Sequence, residues 1–165
     1  MAVRPKTEQL QIRVSPAEKA VIQRAAKRAG LDMSSYVLSR VISVPATRFQ
    51  ACIAAAAGGL NPSYGLAELN NLLTKLSALE LEDAIASAPA VALSPFLANY
   101  VAAMVELACS LRAIPIPHWA RTILPLGDPW FGSSIPSLRH YLLISSPAAF
   151  RRRNIFIDAS LGSRV

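Results

Sequence analysis

The sequence predicts a mainly α-helical protein built in two parts. The first is a dimeric N-terminal module of one strand and two helices. The second is a C-terminal helical domain that runs into a proline-rich irregular tail. Three observations lead there. Apolar residues alternate over Gln9–Val14 and then recur at helical spacing. Hydrophobic residues make up 53% of the chain and charged ones only 16%, too apolar a balance for disorder, and alanine, the strongest helix former, is abundant. The net charge of +7 is divided unevenly: residues 1–48 hold nine Lys/Arg against three acids, residues 49–110 one against five, and residues 111–165 seven against two. A basic module followed by an acidic segment implies two different jobs, the first suited to a polyanion.

In the stretch Gln9–Leu10–Gln11–Ile12–Arg13–Val14, the side chains of Leu10, Ile12 and Val14 share one face and Gln9, Gln11 and Arg13 the other. A single strand leaves its edges unpaired and its apolar face half covered, so it needs a partner, and the simplest is the same strand of a second copy. Ser15–Pro16–Ala17–Glu18 is a capping box with proline at the first helical position. The first helix then runs through Val21, Ile22, Ala25, Ala26 and Ala29 to a stop at Gly30. Asp32 or Ser34 caps the second helix, whose stripe is Met33, Val37, Val41 and Val44, with Pro45 as its end.

Lys6–Val44 resembles a ribbon-helix-helix DNA-binding domain, nearest to the antitoxins paired with acetyltransferase toxins. The likeness is carried by QIRVSPAEK followed by Ile22, Ala25, Ala26, Ala29 and Gly30. It implies that two strands pair antiparallel in the major groove of operator DNA, with Gln9, Gln11 and Arg13 reading base edges. The chemistry suits that role, because glutamine bonds adenine and arginine bonds guanine in a bidentate way. The backbone N–H groups at Met33, Ser34 and Ser35 would hold a phosphate, and Arg4, Lys6, Lys27 and Arg28 would add salt-dependent affinity. The alternative is that the three polar strand residues are only the wet face of an edge strand.

Further along, Thr47–Ala57 reads as a helix extending from that module to Gly58–Gly59, and Asn61–Pro62–Ser63 as a turn at a boundary. Gly65–Leu76 is an amphipathic helix with Leu66, Leu69, Leu72, Leu73 and Leu76 on one face, and Leu79–Ser87 gives a shorter one. Pro95–Arg112 is apolar nearly all round and is the expected core helix. Ile114–Pro115–Ile116–Pro117 is a stiff spacer. Beyond it, Trp119, Trp130 and Phe131 fall in expected loops, and short helices start at Pro136 and Pro147 with Ser134 or Ser145/Ser146 as caps. The expected organisation is therefore residues 1–48 for DNA binding and dimerisation, 49–64 as connecting helix and linker, and 65–165 as a partner-binding domain.

Residues 60–165 resemble a domain of bacterial regulators that accompany nucleotidyltransferase-type toxins, through the order PxPxW, PWF, PSLR and SPAAFRRRNIFID. That likeness implies a partner-binding role. Trp119, Trp130 and Phe131 would be interface anchors or pins to the core. Phe150, Arg151, Arg152 and Arg153 would grip an acidic partner or phosphate. Alternatively, Arg151 and Arg152 are solvated helix-end residues and Arg153 pairs internally.

Nothing in the sequence points to an enzyme, for there is no phosphate loop or nucleophile elbow, and Glu80, Glu82 and Asp83 read as the wet side of a helix. Cys52, Cys109, His118 and His140 lack metal spacing, so neither metal nor cofactor is expected, and the two cysteines read as buried thiols. The polar start MAVRPKTEQ is no secretory signal, and Pro89, Ser94, Pro95 and Asn99 break the charge-free run Ala84–Val105, so a cytoplasmic protein without a membrane span is expected. The functional expectation is a type II antitoxin that represses its own operon as a dimer and neutralises a toxin through its C-terminal domain. The alternatives are a plasmid mobilisation or partition accessory factor, or an interaction protein whose N-terminal part only dimerises.

Overall fold

A computed structural model describes residues 11–41, 44–59 and 61–158 of the chain. The protein is mainly helical and divides into two compact units, residues 1–42 and 43–165. The first unit holds α1 (Pro16–Arg28) and α2 (Met33–Val41). The second holds α3 (Val44–Gly58), α4 (Pro62–Lys75), α5 (Ala78–Ile85), α6 (Pro95–Leu111) and α7 (His118–Thr122). After these come the short strand β1 (Trp130–Phe131), a 3-10 turn at Pro136–Leu138, α8 (Arg139–Ser145), α9 (Ala148–Arg151) and β2 (Ile155–Phe156).

In the first unit the local signals act as expected. Ser15 caps α1 in a reciprocal capping box with Glu18. Its end is a double-bonded glycine turn: Leu31 N–H donates to Ala26 O at 3.0 Å and Gly30 N–H to Lys27 O at 3.2 Å, with Gly30 at φ 67°. Asp32 is the cap of α2, accepting from Ser35 N–H at 2.9 Å. One reading needs correcting. Val44 and Pro45 belong to the start of α3, not the end of α2, because proline is welcome in a first helical turn, where its missing N–H has no partner to lose. Val21 lies on the outer side of α1, 55% exposed, and among the described side chains of this unit only Ala26 is buried.

The second unit has a continuous core. Buried residues of α3 (Phe49, Ile53), α4 (Leu69, Leu72, Leu73) and α5 (Leu81, Ile85) pack with Val101 and Val105 of α6. Thus α3, expected as a connector, packs on α4 and α5 inside this unit. Asn61 and Pro62, expected as a turn, cap and open α4 instead, since asparagine before proline is also a helix-start pair. Close approach of α3 and α4 depends on Gly65: a Cβ there would lie 2.4 Å from the backbone nitrogen of Ala56. Gln50 of α3 clasps the segment after α5, donating to Ala88 O at 3.0 Å and accepting from Ala90 N–H at 2.8 Å. Cys109 is buried, which pushes its thiol up to about 11, and Cys52 is half-buried.

Tertiary contacts replace periodicity in the proline-rich part. The strands β1 and β2 pair in parallel, Trp130 with Ile155 and Phe131 with Phe156, across a separation no local pattern announces. Pro136 starts a 3-10 turn and Pro147 precedes α9, but neither helix has a serine side-chain cap. Ser146 is instead buried, its hydroxyl shared between the carbonyls of Leu142 at 2.6 Å and Ile157 at 2.7 Å. No helix among the described residues is long and apolar enough to cross a membrane.

Two substitutions test the backbone constraints in opposite directions. Gly65→Ala forces α3 and α4 apart and is expected to lower unfolding free energy by about 3 kcal/mol in urea, the upper end of the overpacking range. Ala113 follows α6 at φ 53°, a left-handed position that penalises any Cβ. Ala113→Gly is expected to raise stability by about 0.5–1 kcal/mol. A neutral Gly65→Ala would mean that the helix contact relaxes freely.

Candidate nucleic-acid interface

Gln11–Val14 enter α1 without regular secondary structure, and all four side chains are exposed. Gln9, Arg4 and Lys6, the other expected DNA contacts of this end, lie outside the described residues. The capping box fixes how this segment meets the helix. Ser15 N–H donates to Glu18 Oε2 at 2.8 Å, and Glu18 N–H donates to Ser15 Oγ at 3.3 Å. The Ser15 N–H, and after it the Ser15 hydroxyl donating to the same oxygen at 2.8 Å, favour the charged carboxylate and hold Glu18 below its usual carboxylate range, the backbone bond contributing most. Polar and apolar residues still alternate just before the cap: Gln11 and Arg13 are exposed to solvent, while Ile12 stands 57% and Val14 41% exposed.

Positive charge collects on the outer side of α1. Val21, Arg24, Lys27 and Arg28 line one open depression there, with Arg24 Nε–H donating to Ala20 O at 3.3 Å. Lys27 and Arg28 also occupy the last turn, where the helix dipole favours cations, so part of their placement serves α1 itself. Arg24, which the sequence pattern passes over as one more exposed cation, joins the expected pair because it sits one turn earlier on the same face.

At the start of α2, the expected phosphate cradle is narrower than three amides. Asp32 takes the N–H of Ser35, and among the described residues the N–H groups of Met33 and Ser34 have no acceptor. A carboxylate is already the anion at this helix end.

The expected partner-binding residues of the second unit are divided between core and surface. Phe150 and Arg153 are buried. The Arg153 guanidinium donates to Ala120 O at 2.7 Å, Glu106 Oε2 at 3.4 Å and Asn99 Oδ1 at 3.4 Å. Arg152 also reaches Glu106, at 2.7 Å, with its side chain largely exposed, and Arg151 is exposed. Trp119 donates from Nε1 to Ile85 O at 2.8 Å and packs near Phe49, so it pins α7 to the core. Phe131 stacks on Phe156 with Arg139 over its other side, and Trp130, 39% exposed, leans on Phe96. Glu106 is the residue sequence reasoning overlooked. Its signal was present: it is the single charge between Asp83 and Arg112, and a lone acid on an apolar helix needs a buried partner. Among the described residues, no group of three His, Cys, Asp or Glu side chains is placed to hold a metal.

Residues 4–51 match the family model of NikA-like proteins, described as mobilization protein NikA, a DNA-binding group of ribbon-helix-helix type. The match covers the segment before α1, then α1, α2 and the first half of α3, under a third of the 165-residue chain. No curated protein and no solved structure matches the chain.

The capping box gives a pH test. Because the carboxyl of Glu18 is held below the ordinary glutamate value, its contribution to α1 is present above that value and is lost as pH falls through the lowered one. In an NMR titration Glu18 is expected to titrate below the ordinary carboxylate range, and Ser15→Ala to raise its midpoint. A midpoint that Ser15→Ala leaves unchanged would show that the box does not persist in solution.

Proposed function

We propose that this chain is a dimeric DNA-binding accessory protein of the mobilisation type, whose N-terminal unit reads double-stranded DNA as a ribbon-helix-helix. The observation that carries the reading is coincidence of place. The family match at residues 4–51 falls on the stretch where polar and apolar residues alternate, a capping box starts α1, and Arg13, Arg24, Lys27 and Arg28 stand exposed. In this reading the segments around residues 9–14 of two copies pair antiparallel in the major groove. Gln9, Gln11 and Arg13 bond base edges, while Lys27, Arg28 and the amides of Met33 and Ser34 meet phosphates.

Dimerisation is supported by what one copy leaves uncovered. Ile12, Val14, Val21, Leu31 and Met33 are each more than a third exposed, an apolar share that a unit with one buried alanine cannot cover alone. A second copy across a two-fold axis supplies both the missing strand edge and the missing apolar face.

Mobilisation is preferred to toxin neutralisation because the matching family model is of mobilization proteins, whereas the antitoxin reading rests on sequence resemblance alone. A second reading keeps one support, the folded unit of residues 43–165, which a minimal DNA reader does not need. There the chain is a regulator whose second unit holds a protein toxin.

Gel-shift titrations against the transfer-origin and promoter DNA of its own replicon test the DNA reading. Affinity is expected to fall steeply with salt, and Lys27→Ala to shallow the log–log slope by about one. Arg13→Ala is expected to cost about 1–3 kcal/mol on the specific site and far less on random DNA. Equal binding by Arg13→Ala would sink strand readout. Ile12→Asp is expected to turn the dimer into a monomer in analytical ultracentrifugation and to abolish the shifted band. A dimer surviving that change would place the contact elsewhere. Purification of the tagged chain from its host decides between the two readings: a stoichiometric small enzyme favours the toxin partner, and origin DNA without one favours mobilisation.

A further inference from the structure

The second unit contains a groove that DNA binding does not use. It runs between α4 and α6, is closed at one side by α9, and has a volume of about 490 Å³. That is within the usual range for small-molecule sites, roughly 300–1,000 Å³. Its walls are Leu66, Leu73, Met104, Leu107, Leu111 and Phe150, and the small side chains of Ala67 and Ala108 leave the space between them open. Leu111 at the rim is 76% exposed.

The polar atoms of the groove say what kind of molecule it accepts. Among the described residues no carboxylate lines it, and the one charged side chain is Arg112. That guanidinium is already engaged. Nε–H donates to Leu76 O at 2.8 Å, Nη1 to Ala108 O at 3.2 Å, and Nη2 to Leu73 O and Thr74 O at 2.7 Å and 2.9 Å. These carbonyls belong to the last turns of α4 and α6, so two helix dipoles oppose the guanidinium charge. An anion gains little there, and an ammonium has no counter-charge. Thr74 Oγ1 is likewise turned to Asn70 O at 2.8 Å, Asn70 is itself engaged, and Ser63 lies at the exposed edge, already solvated. Tyr100 is different: its ring is fixed by Phe96 at 5.7 Å and Phe150 at 5.2 Å, and its hydroxyl has no hydrogen-bond partner among the described residues. Burial pushes its pKa up, so the group stays a protonated donor.

We propose that the groove between α4 and α6 binds an uncharged, mainly apolar small molecule carrying one hydrogen-bonding group, with that group at the Tyr100 hydroxyl. The apolar body lies along Leu66, Leu73, Met104 and Leu107, and removal of those surfaces from water drives binding. Selection against ions follows from the saturated Arg112, because a carboxylate would be desolvated without a free charge to meet it.

The test uses the full chain and the neutral fluorophore N-phenyl-1-naphthylamine. Saturable uptake at one site per chain is expected, with 1-decanol displacing the probe and decanoate doing so about tenfold less well, reflecting the cost of burying its charge. Ala67→Trp, placed on α4 at the groove, is expected to abolish uptake while leaving helical circular dichroism unchanged. Should that variant fail to fold, Tyr100→Phe serves: the probe still binds, but decanol competes about fivefold less well, the worth of one hydrogen bond. Absence of saturable uptake overturns the proposal, as does decanoate competing as well as decanol. Uptake that disappears as protein concentration and particle mass rise together also overturns it, since a second copy then occupies the groove.

Discussion

Glu106 is the point on which the second unit turns. A carboxylate in the middle of an apolar helix is costly unless it is paired and hydrogen-bonded. Here Arg153 enters from the far end of the chain to meet it, and Arg152 adds a more exposed contact. Because Arg153 also donates to Ala120 O, and Asn99 Nδ2 to Leu124 O at 3.0 Å, one polar knot joins α6, the end of α7 and the chain beyond it, and the turn after α9. Removing either charged partner strands the other in the interior, the expensive way to break a buried pair.

That knot explains how a proline-rich segment without an apolar stripe folds at all. Once Arg153 is fixed, Asn154 takes a left-handed conformation and accepts through its backbone carbonyl from Trp130 N–H at 2.8 Å. Its side chain donates to Leu126 O at 2.6 Å. The residues that follow pair with β1 and send Ile155 and Ile157 into the core. Directional bonds here do what periodic burial does in α3 to α6.

The two units are stabilised by unlike means. Residues 43–165 carry their own core, whereas residues 11–41 depend on caps, a glycine turn and one buried alanine. In the proposed dimer the stability of the N-terminal unit is tied to protein concentration, and DNA, by binding the associated form, adds to it by mass action. The second unit, with its own core, offers an apolar groove where the Arg112 guanidinium is answered by backbone carbonyls.

The sequence by itself determined the features encoded within a turn or two of helix. The capping box at Ser15–Glu18, Gly30 as a helix stop, and the core helix that starts at Pro95 are of this kind, because neighbouring residues supply both partners of each bond. It also placed the candidate DNA-reading stretch, since charge and alternation are read along the chain. Proline was ambiguous: Pro45 and Pro62 open helices although they read locally as an end and a turn, and only the packing of α3 on α4 across Gly65 decides it. Tertiary structure alone decided the parallel pairing of β1 with β2, the choice for Arg153 between a partner and the internal pairing that sequence left open, the burial of Phe150, and the groove beside Tyr100. Each of these joins residues far apart in the chain, and a contact of that sort leaves no period in the sequence for its partners to share.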